Sequence, residues 1–582
     1  MNRQDAIDLL EKRLLADRGD RSHWRGRLAS SALSTAVAAY ALSQVDPEAH
    51  SFRIHNAMRW LADHQNSDGG WGDTPESPSN MSTTLLCRFA LTLADETYRP
   101  CIEKAEDWLR ERMGEGISSE SISRAVLAYF GNDHTFSAPI LTMGVLSGYV
   151  GRETRAPWSL VPQLPFEFSV VPSALYRFLR LQVVSYALPA LITVGLVRHK
   201  HRPSKFPPMR WLRDWLTPRC LRILQDIQPR SGGYLEAAPL TAFVTMCMAR
   251  SGYAEHPVVQ RAVMFLTETV RPDGSWPIDT DLATWVTTLS INAGMDETLD
   301  DEQHEATREW LIGQQLRERH PFTKAAPGGW AWTDLSGGVP DADDTSGALL
   351  ALARLSPQAI SSAEHGVRWL LDLQNSDGGI PTFCRGWGKL PFDRSCADLT
   401  AHALQAWSVW YGKLPSALQR ELDSAMQRAR TYLEHQQRED GSWVPLWFGN
   451  QQDAAQENPV YGTAQVLKAL RTLDGISEAL PRRAIRFLLS VQDTSGAWGG
   501  NRGLVPSIEE TALAATALAL WPEHDEARKA AEEGEAWLLR QIPADGRLPS
   551  APVGLYFASL WYDEKLYPLI FALQALKTME KR

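Results

Sequence analysis

The sequence is short of the features that classify a protein quickly. Six cysteines in 582 residues (Cys87, Cys101, Cys220, Cys247, Cys384 and Cys396) are scattered without a Cys-x-x-Cys pair. That argues against a disulfide framework and suits reduced thiols in the cytoplasm. Positive charge is the minority sign. With 59 Lys and Arg against 69 Asp and Glu, the net charge is −10 and no basic block stands out, so nucleic acid is not an expected partner. The most apolar stretch, residues 183–197, is too short and interrupted to read as a membrane span. Residues 1–21 are charged throughout, with Ile7, Leu10 and Leu14 at helical spacing; they read as a small amphipathic helix, not a signal peptide. Alternation of the kind strands show is scarce, and the length exceeds one ordinary core, so two helical domains are expected.

What is abundant is tryptophan, with 22 copies, and much of it recurs in a pattern. An aromatic or aliphatic residue is followed five positions on by Gln and six further by Trp, with Asp-Gly or Gly-Gly between. Trp60, Gln65 and Trp71 form one copy; Tyr432, Gln437 and Trp443 another; Phe487, Gln492 and Trp498 a third. Weaker copies run from Gln228 to Tyr234, Val270 to Trp276, Gln374 to Ile380 and Ile542 to Leu548, and the copy at Trp310 and Gln315 carries an insertion before Trp330. Periods of this length suit helix pairs with variable loops. Repeated helix hairpins can close into an α/α barrel whose hollow is lined from the ends of its inner helices. The Gln amide would bond backbone groups while the indole covers them.

One stretch is chemically unusual. Asp341, Asp343 and Asp344 fall within four residues, between Gly329-Trp330-Ala331-Trp332 and the apolar run Ala348 to Leu352. Two effects compete there. First-turn carboxylates are favoured in ionised form by the helix dipole, by about 0.3–1 kcal/mol. Crowding and burial raise a carboxylate pKa by up to several units at about 1.4 kcal/mol each, so in a closed cavity they win and leave a standing Brønsted acid.

The Gln-to-Trp repeats and Asp341-Ala342-Asp343-Asp344-Thr345 together resemble the QW motifs and DxDD(T) acid motif of the squalene-hopene cyclase branch of the triterpene cyclases, over nearly the whole chain. The resemblance implies an all-α fold of two α/α barrels of the α6-α6 toroid type, the first inserted into the second, with the cavity between them. Composition puts the inserted barrel at residues 22–229, and residues 1–21 with 230–582 in the catalytic barrel. It implies that Asp343 protonates a terminal alkene with Asp341 and Asp344 as crowding neighbours. It also implies that His402, in Asp398-Leu399-Thr400-Ala401-His402, orients that acid. Cavity aromatics carried over in the same way are Trp332, Tyr186, Trp447 and Tyr461, and in the carboxy-terminal segment Tyr556, Phe557 and Trp561.

No cofactor and no metal are implied. The implied substrate is a linear isoprenoid, squalene first, cyclised to a hopene-type triterpene. The resemblance further implies a monotopic, peripheral attachment to the membrane surface from the cytoplasm and a homodimer. Candidate membrane-contact stretches are residues 136–150 and part of 183–197. Departures touch the cavity: Glu236 to Thr241 replaces a Pro-Pro-Trp-Phe run, and Pro552 and Leu560 stand where further aromatics are usual.

Other classes leave weaker traces. A glycosidase needs two separated acids in an open cleft. A zinc-dependent prenyltransferase subunit would have only Cys384, Cys396 and His402, without familiar ligand spacing. Asp300 to Glu305 is the sole candidate for a diphosphate-ionising metal motif and reads better as a helix cap. A class II diterpene cyclase would use the same acid, but no phosphate-binding glycine loop supports it. A helical membrane scaffold would show no turnover.

Overall fold

A computed structural model describes residues 1–114, 116–131, 134–181, 183–473, 476–555 and 560–581. Helices dominate, and their starts are written in the side chains. Asn2, Ser31, Asn80, Asp300, Asp341 and Ser507 each accept a hydrogen bond from a backbone N–H of the first turn they precede, satisfying donors that a helix leaves free.

The helices sort into two layers by hydrophobic pattern. Ile508–Ala519 is buried at every position and Ala32–Val45 over most of its length, as expected of helices walled on all sides. Ala479–Val491 and Ile360–Leu373 are amphipathic, with one buried face. Six inner helices close a ring by packing neighbour on neighbour: Ala283–Asn292, Ala342–Leu355, Ala397–Trp410, Pro459–Leu470, Ile508–Ala519 and Tyr567–Glu580, the last meeting the first. Arg3–Arg18 lies outside this ring against Tyr567–Glu580. A second ring closes through Ala32–Val45, Met81–Ala90, His134–Leu146, Val183–His201 and Ala238–Met248. It has one inner helix fewer than the first.

The apolar cores divide along the same line, but not at residue 229. Ala238 to Cys247, Phe265, Leu266 and Trp276 belong to the core of the smaller ring, while Ile7, Leu10, Leu14 and Trp24 share a core with residues 285–579. The reason lies in a short neck. Ser30–Ser31 pairs antiparallel with Trp276–Pro277, Ser31 opposite Trp276, so the chain enters and leaves the inserted barrel side by side there. Composition could not see this pairing, because it joins segments about 245 residues apart in the chain.

Each complete repeat is closed by hydrogen bonds of three kinds, four bonds in all. The Gln amide donates to its own loop and to the neighbouring outer helix: Gln315 Nε2 to Gly328 O (2.8 Å) and Ser362 O (2.9 Å), Gln437 Nε2 to Gly441 O (2.9 Å) and Leu480 O (3.1 Å). The indole does more than cover these groups, because its N–H donates to the end of the preceding helix, as Trp330 Nε1 does to Leu311 O and Trp443 Nε1 to Leu433 O (2.8 and 2.9 Å). The third kind runs from the Trp backbone N–H to a threonine on the next inner helix, Trp330 to Thr345 and Trp443 to Thr463, both 3.0 Å. The loop glycine is obligatory. Gly441 has φ +93°, and a Cβ there would stand 2.4 Å from Arg483 O.

The first of the expected membrane stretches is interior. Residues Ser137 to Val145 are buried, and Pro139 and Ile140 face the space between the barrels. Among the described residues no helix is long and apolar enough to cross a membrane. The large exposed apolar side chains gather elsewhere, at Phe168, Leu175, Phe178, Leu179, Phe206, Trp211, Leu212 and Trp215.

Gln315→Ala would remove both bonds and leave the Gly328 carbonyl without a partner, and should cost about 1–3 kcal/mol in urea denaturation. Trp330→Phe, which keeps a ring and loses one bond, should cost less. Equal midpoints for both variants and the parent would show that the ties do not hold the repeat.

Candidate active site

Between the barrels lies a cavity of about 400 Å³. Its walls are mostly apolar, and its lining includes no Lys, Arg or His among the described residues. The smaller ring and its connections contribute Leu33, Leu86, Phe130, Ile140, Ala190 and Phe243; the larger ring and its connections contribute Trp285, Asp343, Leu399 and Phe448.

The three acids sit where the helix Ala342–Leu355 begins. Asp341 is its N-cap, and Oδ1 accepts from the backbone N–H groups of Asp343 and Asp344, both at 2.9 Å. Asp341 and Asp344 are each 4 % exposed, whereas Asp343 opens toward the cavity. Burial pushes the Asp341 carboxyl up to about 7 against the pull of those N–H groups, and Asp343 adds to the rise. Burial and then the charges of Asp341 and Asp343 push Asp344 well above the usual carboxylate range. Asp344 is the member of this pair that keeps its proton, and its Oδ1 has no hydrogen-bond partner.

His402, on the next inner helix Ala397–Trp410, meets the third acid directly: Nδ1 to Asp343 Oδ1 is 2.5 Å. In the Nδ1–H tautomer the ring donates to that oxygen, which leaves Oδ2 free. Trp285 stands edge-on to the imidazole, with centroids 6.5 Å apart. Asp398, two residues before the Thr400 tie, turns away to accept from Cys396 Sγ at 2.5 Å; burial pushes it up to about 7. Cys396 is engaged there, and no cluster of His, Cys, Asp or Glu suited to a metal occurs among the described residues.

The aromatics divide. Trp332, Tyr186 and Trp447 line the cavity. Tyr186 donates to Phe383 O at 3.0 Å, and Trp447 Nε1 to Thr382 Oγ1. Tyr461 does not line the main cavity. It stacks on Phe448 (4.7 Å) and faces a smaller void of about 20 Å³ beside Glu509. Trp561 lines neither space. It is 2 % exposed in the strand Leu560–Tyr562, and because side chains alternate along a strand, Leu560 and Tyr562 take the cavity side. Tyr556 and Phe557 lie outside the described residues.

Sequence reasoning missed Phe383 and Phe392, which pack with Tyr186 and Trp447 at 5.3–6.2 Å. It also missed Trp285, Phe448, Tyr562 and Asp279. Trp285 was findable, because it precedes a tie threonine, Thr287, by two residues, as Asp343 precedes Thr345.

Comparison with known proteins places the chain in a family. Residues 282–580 match the family model of the squalene-hopene cyclase C-terminal domain, and residues 7–141 that of the N-terminal domain. Enfumafungin synthase of Hormonema carpetanum is 24% identical over 93% of this chain and 45% of its own length. The squalene–hopene cyclase of Alicyclobacillus acidocaldarius is 23% identical over 80% of this chain and 78% of its own. The chain thus spans less than half of the first relative and most of the second. In fold it resembles the ent-copalyl diphosphate synthase from Streptomyces platensis, with a TM-score of 0.61, 18% identity and 99% of both chains covered.

The buried acids leave a signature in stability. Glu509 is 7 % exposed with Oε2 unpartnered, and burial followed by Glu510 pushes it up to about 8. The folded state therefore holds protons that the unfolded chain releases near pH 4.5. Stability should fall as pH rises from about 5 to 8, each such group contributing at most about 1.4 kcal/mol per pH unit. Melting at pH 5.5 and 8 should show the lower midpoint at pH 8, and Glu509→Gln should narrow the gap; an unchanged gap would contradict the burial of that charge.

Proposed function

The chain belongs to the squalene-hopene cyclase family, and on that footing we propose that it is a class II terpene cyclase acting on a long linear isoprenoid, with Asp343 as the acid. Squalene and a hopene-type polycycle are the substrate and product to test first. The observation that carries the reading is the 2.5 Å pair of Asp343 and His402 at the wall of an apolar cavity between two barrels.

The chemistry follows from that pair. A terminal alkene is a very weak base, so its protonation needs a positioned acid and the absence of competing water. The O–H bond of Asp343 breaks, the alkene π pair takes the proton, and the carboxylate left behind stays hydrogen-bonded to His402. The cation then closes rings by drawing on successive alkenes. Trp332, Phe383, Tyr186 and Trp447 present ring faces able to stabilise cations by about 0.5–2 kcal/mol each without forming bonds to them. Loss of a proton or capture of water ends the cascade.

A diphosphate-bearing substrate is the second reading. It finds less support, because the cavity lining offers no cationic side chain among the described residues and phosphate recognition usually uses Arg, Lys or helix N-termini.

Membrane attachment has its support in the exposed apolar group on the inserted barrel. Trp211 and Trp215 are 70 % and 74 % exposed and lie one turn apart on the helix Pro207–Asp226. That helix is locked to the segment Phe166–Val170 by the buried pair of Arg213 and Glu167, at 2.9 and 3.0 Å. Phe168 and Phe178 are also exposed on the segments that precede this helix, and Arg177, Arg180 and Arg210 flank these side chains in sequence. Such a surface suits the headgroup boundary of a bilayer.

Asp343→Asn should lower product formation from squalene at least about a thousandfold while circular dichroism and melting stay unchanged. Turnover in that variant would remove Asp343 from its role. His402→Phe should slow the reaction without changing the ring pattern; a new product profile at a normal rate would contradict the orienting role. The double change Trp211→Glu and Trp215→Glu should abolish sedimentation with phospholipid vesicles. If binding persists, the attachment surface lies elsewhere.

A further inference from the structure

The cavity wall holds one acid outside the Asp341 to Asp344 stretch. Asp279 follows the neck strand Trp276–Pro277 and faces the same space. Its Oδ1 accepts from Thr280 N at 2.7 Å. Beside it the indole Nε1 of Trp332 is buried without a hydrogen-bond partner; it lies close enough to draw on the Asp279 carboxyl without meeting hydrogen-bond geometry. A donor without a partner and an acid held by Thr280 N thus stand together in a wall otherwise built from groups such as Ile278, Leu282 and Leu240.

This piece of wall is held firmly. Ala237 pairs with Asp279 in an antiparallel bridge, with Ala238 N to Ile278 O and Thr280 N to Glu236 O both 3.2 Å. Leu235 and Glu236 both adopt left-handed backbone, φ +56° and +54°. For residues other than glycine that conformation costs energy and persists only where the surroundings enforce it. Here Ser231 Oγ (2.6 Å) and Gly337 N (2.7 Å) hold the Glu236 carboxylate and fix the turn.

We propose that Asp279 and Trp332 bind a hydroxyl group on the isoprenoid, making the preferred substrate a linear isoprenoid alcohol and not the plain hydrocarbon. The hydroxyl oxygen accepts from the Trp332 N–H while its hydrogen goes to the Asp279 carboxyl. A hydrocarbon would bury the Trp332 N–H without a partner and the Asp279 carboxyl with no new one beyond Thr280 N, which a polar site resists. Burial, then Glu236 and Asp281, push the Asp279 carboxyl well above the usual carboxylate range, and a hydroxyl pairs with either form because it both donates and accepts. The same acidic neighbours oppose a diphosphate at this spot. The inference rests on the reading of the chain as a cyclase of linear isoprenoids and, within that class, sets an alcohol ahead of squalene.

The test compares the full chain, in detergent, on a prenyl alcohol (geranylgeraniol), the hydrocarbon of equal chain length and the matching diphosphate. The alcohol should lead the hydrocarbon in kcat/KM by about ten- to a hundredfold. Asp279→Leu and Trp332→Phe should each shrink that ratio about tenfold, whereas Asp279→Asn, which still donates and accepts, should keep most of it. Asp279→Asn also guards against a folding failure in the leucine variant. Equal rates for alcohol and hydrocarbon, a lead for the diphosphate, or an unchanged ratio in Asp279→Leu would overturn the assignment. No turnover of any chain would instead remove the cyclase reading. The hydroxyl site is then judged by binding of the saturated alcohol against the alkane, followed by tryptophan fluorescence, and equal affinities overturn it.

Discussion

The structure depends on a bond from a loop backbone N–H to a threonine hydroxyl at the start of the next inner helix. It recurs at Trp24 to Thr287, Trp71 to Thr84, Tyr234 to Thr241, Trp276 to Thr35, Trp330 to Thr345, Ile380 to Thr400, Trp443 to Thr463 and Trp498 to Thr511, always at 2.9–3.0 Å. A helix is free to rotate and slide against apolar neighbours, since apolar contact has little direction. A hydrogen bond does not allow that freedom, and at each repeat it sets both the depth and the rotation of the inner helix.

That register decides what the cavity meets. The residue two before the tie threonine is Leu33, Ser82, Pro239, Trp285 or Asp343 along the main cavity, and Tyr461 or Glu509 along the smaller void. Asp398 is the exception, its carboxyl being drawn aside by Cys396. The threonine of the acid motif thus belongs to the architecture, and the acid is whatever the repeat places at a position that already points inward. His402 follows its own threonine by two residues, so the register of two neighbouring helices brings its ring to Asp343 without any contact between the two loops.

Much of this was legible in the sequence for a physical reason. Helix periodicity and the Gln-to-Trp spacing are local, so they gave the helix pairs and their closure into barrels; Asp343 and His402 were found because their motifs are local too. What failed was non-local. The neck pairing of Ser30–Ser31 with Trp276–Pro277 joins segments far apart in sequence, and without it the inserted barrel was ended too early. Trp561 was assigned inward because its segment resembles the aromatic segment of the family's cavity, but strand alternation there gives the cavity to Leu560 and Tyr562. Asp279 carried no signal, since a single aspartate after a Trp-Pro pair looks like any loop acid. Residues 136–150 looked like a membrane surface because an apolar run reads the same whether it faces lipid, core or cavity.

The acid motif shows how two readings that compete in sequence are divided among side chains in space. Helix capping and proton storage oppose each other in one carboxyl, since a cap favours the charge that burial penalises. Asp341 does the capping, with Oδ1 committed to two N–H groups, and that partial relief holds it near 7 and no higher. Asp344, without such donors and with Oδ1 unpartnered, takes the burden of burial and stays neutral. Asp343 is thereby left free of both tasks, facing the cavity with one oxygen bound by His402. A single aspartate at the cap position could not serve as well, because the N–H groups that position it would also stabilise the anion and leave it without a proton to give at neutral pH. The three-acid motif separates fixing the helix start from donating the proton, and the spacing of one residue between the first acid and the second puts them on different sides of the same turn.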